Sequence, residues 1–395
     1  MAAAPEPMQV DVSTSNHAAT ETQVFHIGTR SSILARVQAD EVLKALRQAW
    51  PHHQFEIHAM NTAGDNNQKT ALYKFNDKAL WTQELEVLLQ EGQLDFIVHS
   101  LKDMPTQLPH DLDLGCVTKR LDPRDGLVIK PSLKDKYHSL ADLPEGSIVG
   151  TSSLRRTALM KKHYPHLKFT DVRGNIGTRL AKLDNPDSEY SAIVLAVCGL
   201  QRTGMENRVS MHLSKSNGGM HHAVGQGALG IETRKDDKRV LELLSRIECS
   251  KTTRQALAER SLMRILEGGC SVPIGVETEW VARSSYVAES SSVGVMPSDD
   301  YDKLTGVATA ASQASRPQDE GAEPESSDEM IMRAIVVSLD GSETAEVETR
   351  KLVRNKVDAE QFGRDVAKAL VEKGAAKILE NIMLNRKIID EQGQA

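Results

Sequence analysis

From Val24 onward, short apolar runs alternate with longer amphipathic ones, and this alternation narrows the possible folds more than any other feature of the chain. Val24 to Gly28 reads as a strand, and Ser31 or Ser32 can cap the helix that follows. In that helix Ala35, Ala39, Val42, Leu43, Leu46 and Trp50 share one face, and Pro51 stops it. Phe55, Ile57 and Ala59 alternate as a strand, Thr82 to Glu91 reads as a helix closed by Gly92, and Leu94 to Val98 as a buried strand. A β-α-β-α-β order implies an open α/β sheet with ligands at the carboxyl ends of its strands.

A second series repeats the pattern. Ser147 to Gly150 reads as a strand running into a helix at Ser153, Lys168 to Val172 as a strand running into a helix near Asn175, and Ala192 to Val197 as an apolar strand. Gly225 to Ile231 can cross back to the first sheet. The expected division is therefore a discontinuous first α/β domain (23–121 and 223–246), a second α/β domain (122–222) and a cleft between them. A smaller α+β domain (247–395) is expected to hold a helix from Thr253 to Leu266, strands at Pro273–Glu279 and Arg333–Leu339, and a long helix from about Asp358. Residues 1–22 and 284–329 are rich in small or polar residues and read as a disordered tail and an inserted solvated loop.

The chain has 395 residues and a formal net charge of −7, which argues against a general nucleic-acid binder while leaving room for a local basic cleft. Cys116, Cys198, Cys249 and Cys270 show no C-x-x-C spacing, so neither a cysteine zinc site nor a disulfide scaffold is indicated. No apolar run reaches the roughly 18 residues needed to span a bilayer. The first 20 residues lack Lys and Arg and carry Glu6 and Asp11, unlike a targeting peptide. A cytoplasmic protein with reduced thiols and no membrane or nucleic-acid partner is expected.

Three strand-to-helix turns present arginines. Thr29-Arg30-Ser31-Ser32, Gly150-Thr151-Ser152-Ser153-Leu154-Arg155-Arg156 and Arg173-Gly174-Asn175-Ile176-Gly177-Thr178-Arg179 each combine free backbone N–H groups, hydroxyls and guanidiniums. Arg202 follows the apolar strand and the Cys198-Gly199 turn. Taken singly, each fits an N-cap beside a surface arginine. Together they suit a ligand bearing many carboxylates, because the planar guanidinium binds such groups bidentately. A P-loop and a dinucleotide fingerprint are both absent. Val98-His99-Ser100-Leu101-Lys102-Asp103-Met104-Pro105 places a carboxylate just past a buried strand, where it reads either as a turn residue or as a group that steadies a cation. Lys74 and Lys78 precede Leu80-Trp81. Glu259 to Leu266 is helical, and Gly268-Gly269-Cys270 ends it with a thiol on a tight loop, either a small core residue or a reactive group.

With these motifs in this order, the chain resembles the porphobilinogen deaminase (hydroxymethylbilane synthase) family. The resemblance runs from about Val24 to Val281 and resumes from about Met332. It implies two domains similar to type II periplasmic binding proteins around a cleft, plus a small α+β domain. It also implies a transferase that condenses four porphobilinogen molecules with loss of ammonia and releases hydroxymethylbilane. Cys270 matches the attachment point of a dipyrromethane cofactor, and Asp103 matches the catalytic carboxylate. Arg30, Arg155, Arg156, Arg173, Arg179 and Arg202 match positions that hold cofactor and substrate carboxylates, with Ser32, Ser100, Lys102, Ser152 and Gln226 matching nearby polar positions. Lys74 and Lys78 fall in the family's mobile active-site loop. The insertion has no counterpart in the compact members. No metal is expected, and a monomer is. The alternative reading is a non-catalytic two-lobed protein that binds polyanions.

Overall fold

Strand β1 (Val24–Arg30) lies between β2 (Gln54–Met60) and β3 (Phe96–Ser100), parallel to both. This computed structural model describes residues 22–62, 82–266, 272–282 and 326–392. The first sheet continues with β4 (Leu112–Val117) at its far edge. The second sheet contains β5 (Asp125–Ile129), β6 (Ile148–Gly150), β7 (Lys168–Thr170), β8 (Tyr190–Ala196) and β9 (Met211–Leu213). Strand β10 (Leu229–Arg234) then returns to the first sheet and inserts antiparallel between β3 and β4.

The two sheets have one design. Their orders are β2-β1-β3-β10-β4 and β7-β6-β8-β5-β9, so in each a parallel trio is followed by an antiparallel strand and a final edge strand. In the first lobe the antiparallel strand comes last in the chain; in the second it comes first. The chain therefore crosses between the lobes twice, along residues 118–124 and 214–228. These crossings touch where Leu121 N donates to Gly227 O at 3.3 Å. Gly227 has φ +92°, and a Cβ there would lie 2.5 Å from the Leu121 carbonyl oxygen, so a side chain is excluded on both counts.

Helix α1 (Ile33–Ala49) follows β1 and is capped by Ser32, whose Oγ accepts from Ala35 N at 3.4 Å. Its buried Val42 and Leu46 pack with Phe25, Ile27 and Phe55. Helix α2 (Gln83–Gln90) covers the other face through Leu85 and Leu89. In the second lobe α3 (Leu154–His163), α4 (Ile176–Asp184) and α5 (Val197–Arg202) follow β6, β7 and β8. Helix α6 (Lys238–Ser245) returns to the first core.

The third unit packs α7 (Ser250–Ile265) and α8 (Lys356–Glu372) with an antiparallel sheet of β11 (Ile274–Ala282), β12 (Ser326–Val337) and β13 (Thr344–Leu352). Three expectations are corrected here. β12 begins at Ser326, so residues 326–329 belong to the sheet and not to the expected 284–329 loop; pairing with Ala282 and Leu352 holds this polar stretch extended. β13 stands where no strand was expected. The long terminal helix is two helices, because Gly374 (φ +96°) breaks it before α9 (Ala375–Gln392). The rest of the inserted segment and residues 1–21 lie outside the described residues.

Candidate active site

The carboxyl ends of the parallel strands from both lobes face a shared cleft of about 740 Å³. The first lobe contributes Arg30 and Ser32 at the β1–α1 junction, and Ser100, Lys102 and Asp103 from β3 and the tight 3-10 turn Leu101–Asp103 that follows it. The sequence reading ended the strand at Val98; the strand runs on to Ser100, and only then does the chain bend. Buried Gln38 on α1 fixes the junction by donating to Ser100 Oγ at 2.7 Å.

From the second lobe come Arg156, Arg173, Arg179 and Arg202. Asn175 caps α4, its side chain accepting from Thr178 N at 2.8 Å, and Arg179 Nε donates to Gly174 O at 2.7 Å. Arg202 is almost fully buried and donates to Glu41 Oε2 on α1 at 2.8 Å and to Gly227 O at 3.2 Å, so it spans the lobes. Among the described lining residues, Asp103 is the one acidic side chain facing six cationic ones. The crowding has an electrostatic signature. Burial, reinforced by the neighbouring guanidiniums of Arg156 and Arg173, pulls the Arg179 pKa down to about 10, while Asp103 opposes the shift. An arriving carboxylate would relieve that repulsion.

Three expected residues sit otherwise. Arg155 does not line the cleft. Successive helix residues point about 100° apart, so Arg155 and Arg156 diverge at the start of α3. Arg155 reaches Asp125 Oδ2 at 2.8 Å and the His221 carbonyl, whereas Arg156 grips Asp125 Oδ1 at 2.7 Å and Val194 O at 2.9 Å from the cleft wall. Gln226 is fully buried behind the wall; its amide donates to Pro123 O and Asp125 Oδ1, and its oxygen accepts from Lys102 Nζ at 3.4 Å. Ser152 Oγ donates to Val172 O at 3.0 Å and steadies the turn before α3. Lys74, Lys78 and Cys270 lie outside the described residues.

Sequence reasoning missed the groups that hold this wall. Burial alone would raise the Asp125 pKa, but the guanidiniums of Arg155 and Arg156 hold it well below the carboxylate range. Its one sequence signal is a lone carboxylate opening the apolar run Leu127-Val128-Ile129. On the opposite side, Arg260 of α7 donates to the carbonyls of Met104 (3.2 Å) and Pro105 (2.5 Å), next to Asp103. Arg156 Nε is buried and has no partner among the described residues, an unfilled donor on a residue of the cleft wall.

The cleft can therefore hold a compact molecule or oligomer bearing several carboxylates while keeping one anionic group beside it. A family model described as "Porphobilinogen deaminase, dipyromethane cofactor binding domain" matches residues 25–242, and one for the "Porphobilinogen deaminase, C-terminal domain" matches residues 253–288. The porphobilinogen deaminase of Saccharomyces cerevisiae is 43% identical over 92% of this chain and 98% of its own length. That of Synechococcus elongatus is 52% identical over 64% of this chain and 78% of its own. Among solved structures, the methionine-binding protein MetQ aligns with a TM-score of 0.35 and 15% identity, covering 60% of this chain and 94% of that one.

Proposed function

The chain belongs to the porphobilinogen deaminase family, and from that premise we propose how its own residues carry the family's reaction. The enzyme is a transferase of porphyrin biosynthesis: it joins four porphobilinogen molecules head to tail with loss of four ammonia, and water releases the linear hydroxymethylbilane. The binding-only alternative is set aside, since an enzyme family accounts for nearly the whole chain.

One observation carries the assignment of roles: Asp103 stands alone as an acid among the cleft cations of the described residues. Loss of ammonia from the substrate's aminomethyl group leaves positive charge on the pyrrole. A carboxylate fixed by the β3 turn stabilises that charge without having to reorganise. The turn is braced from behind by Arg260 and from the side by Lys102, which is itself tied to Gln226. Each porphobilinogen unit brings two carboxylates, and Arg30, Arg156, Arg173, Arg179 and Arg202 hold these side chains while the growing product lengthens.

The dipyrromethane, when bound, supplies the pyrrole carbon to which each unit is added. The residues present fit it: guanidiniums line the wall, and the Arg156 Nε donor is unfilled. Cys270 is its attachment point in this reading. In support, the segment carrying Cys270 follows α7, the helix whose Arg260 touches the Asp103 loop. Arg155, Ser152 and Gln226 support the wall indirectly, and Lys74 and Lys78 match positions of the family's active-site loop. No described helix is long and apolar enough to cross a membrane; in the same proposal the enzyme is a cytoplasmic monomer without nucleic-acid or membrane partners.

The test is intact-mass spectrometry joined to turnover. The purified protein should carry a dipyrromethane-sized adduct that is lost in Cys270→Ser, and it should release one ammonia per porphobilinogen consumed. A fully active protein without the adduct would refute the role of Cys270.

A further inference from the structure

The solvent-facing edge of the first sheet carries a cluster that the condensation does not use. β1 and β2 run parallel in a register that pairs His26 with Glu56 and Gly28 with His58. Strand alternation puts His26, Glu56 and His58 on one face. Gly28 matters here: it places no side chain opposite His58, and a Cβ on it would lie 2.6 Å from Leu94 Cδ1, which would have to shift. Nothing at position 28 then stands between His58 and His26. Their rings approach to 3.0 Å between His26 Nδ1 and His58 Nε2. Glu56 Oε2 lies 3.6 Å from the first nitrogen and 3.9 Å from the second.

That triangle has the dimensions of a coordination sphere. Ligands about 2.0–2.1 Å from a tetrahedral zinc ion are about 3.3–3.4 Å apart, and the observed separations bracket this value. Among the described residues no other trio of His, Cys, Asp or Glu comes together so closely. We propose that His26, Glu56 and His58 form a binding site for a divalent transition-metal ion, with water completing the coordination. Two imidazoles and one carboxylate suit Zn²⁺, Co²⁺ or Ni²⁺ and not Mg²⁺ or Ca²⁺, which prefer all-oxygen sites. The three side chains are 39%, 58% and 48% exposed, so an ion enters from solvent without opening the fold. The backbone beneath is anchored, since His26 N donates to Asp95 Oδ2 at 2.7 Å. A bound ion would cross-link the strands whose carboxyl ends lead to Arg30 and Asn61 in the cleft.

The experiment uses the full-length protein after dialysis against a chelator, titrated with ZnCl₂ by calorimetry and with CoCl₂ by visible absorption. Wild type should bind one more equivalent of Zn²⁺ than the double variant His26→Ala/His58→Ala. Its Co²⁺ complex should show ligand-field bands of a low-symmetry nitrogen and oxygen site that the double variant lacks. Glu56→Gln should weaken binding by about tenfold or more, and MgCl₂ should give no comparable heat. Circular dichroism and metal-free porphobilinogen turnover should be unchanged in all variants. If the double variant misfolds, the Glu56→Gln titration decides. Equal Zn²⁺ stoichiometry and affinity in wild type and variants, or no binding by wild type, would reduce the cluster to an exposed polar patch.

Discussion

Arg120 and Glu259 meet in a bidentate ion pair, at 2.6 and 3.0 Å, although one lies on the first inter-lobe crossing and the other on a helix of the third unit. The same carboxylate accepts from Gly225 N on the second crossing (2.8 Å) and from Thr278 Oγ1 on β11 (2.6 Å), while Arg120 Nε donates to Gln226 O (2.7 Å). Both crossings are thereby clamped to the third unit by one buried carboxylate, and the relative placement of the lobes depends on it.

Glu259→Gln should therefore destabilise the protein by about 3–5 kcal/mol, because it leaves the Arg120 guanidinium buried without its counter-charge. Equilibrium denaturant unfolding measures this, and a change within about 0.5 kcal/mol, as surface substitutions give, would show that the clamp bears no stress.

Acid should find the same weakness. Burial opposes ionisation of Glu259 and Asp125, but their arginine partners win, and both pKa values lie below the ordinary 4.5 and 3.8. A carboxyl with a depressed folded-state pKa adds stability that is complete above its unfolded value and is lost as pH falls through the folded one. The unfolding free energy should accordingly drop from about pH 5 downward. The drop should be shallower in Glu259→Gln, where one of the two groups no longer titrates. Parallel curves for wild type and variant would contradict this.

How much of this was legible in the sequence depended on which atoms carry the information. The α/β alternation was readable because Phe25, Ile27, Val42 and Leu46 must all be buried on one core, and periodicity records burial directly. β13 was missed because only Ala345 and Val347 of its nine residues are buried, too few to show a period. The strand status of Ser326–Glu329 comes from ladder hydrogen bonds, which polar side chains do not advertise. Most of the cleft arginines could be named from their strand-to-helix turns. That Arg155 turns away from the cleft follows from helical phase at α3, which the motif alone does not display. Arg120 and Glu259 are 139 residues apart, and neither carries a local signal of its partner.

The insertion yields a prediction sharpened by the start of β12. Replacing residues 290–322 with a short Gly/Ser linker should change stability by less than about 1 kcal/mol, since loop closure depends only weakly on length. A deletion carried through Ser327 should cost more, because it removes the Ala282–Ser326 pairing and the bond from Ser327 Oγ to Val281 O at 2.9 Å, hydrogen bonds worth about 0.5–1.5 kcal/mol each. Equal melting temperatures for the two deletions would place the start of the sheet later.

Asp103→Asn should retain the fold and cut porphobilinogen turnover by about 10²–10³-fold, the usual cost of removing one oriented electrostatic group from a reacting centre. Single-turnover kinetics with mass analysis should show the loss in the chemical step, with substrate still bound. Near-normal turnover would return Asp103 to a turn residue before Pro105.

The arginines should divide into two classes by position. Arg155 holds buried Asp125 and the His221 carbonyl away from the cleft, so Arg155→Leu should act chiefly on stability, lowering it by about 3 kcal/mol or more. Arg173 and Arg179 line the cleft, and in Arg179 burial already penalises the charge that a bound carboxylate would favour. Arg173→Leu and Arg179→Leu should therefore leave the melting temperature within a few degrees of wild type but impair loading of the dipyrromethane or stall elongation. Lysine should rescue only part of the loss, because a point charge cannot reproduce a two-pronged guanidinium contact. Thermal unfolding separates the classes, and intact-mass spectrometry counts the pyrrole units accumulated per chain. If Arg155→Leu behaved like Arg179→Leu in both measurements, the separation between supporting and carboxylate-holding arginines would fail.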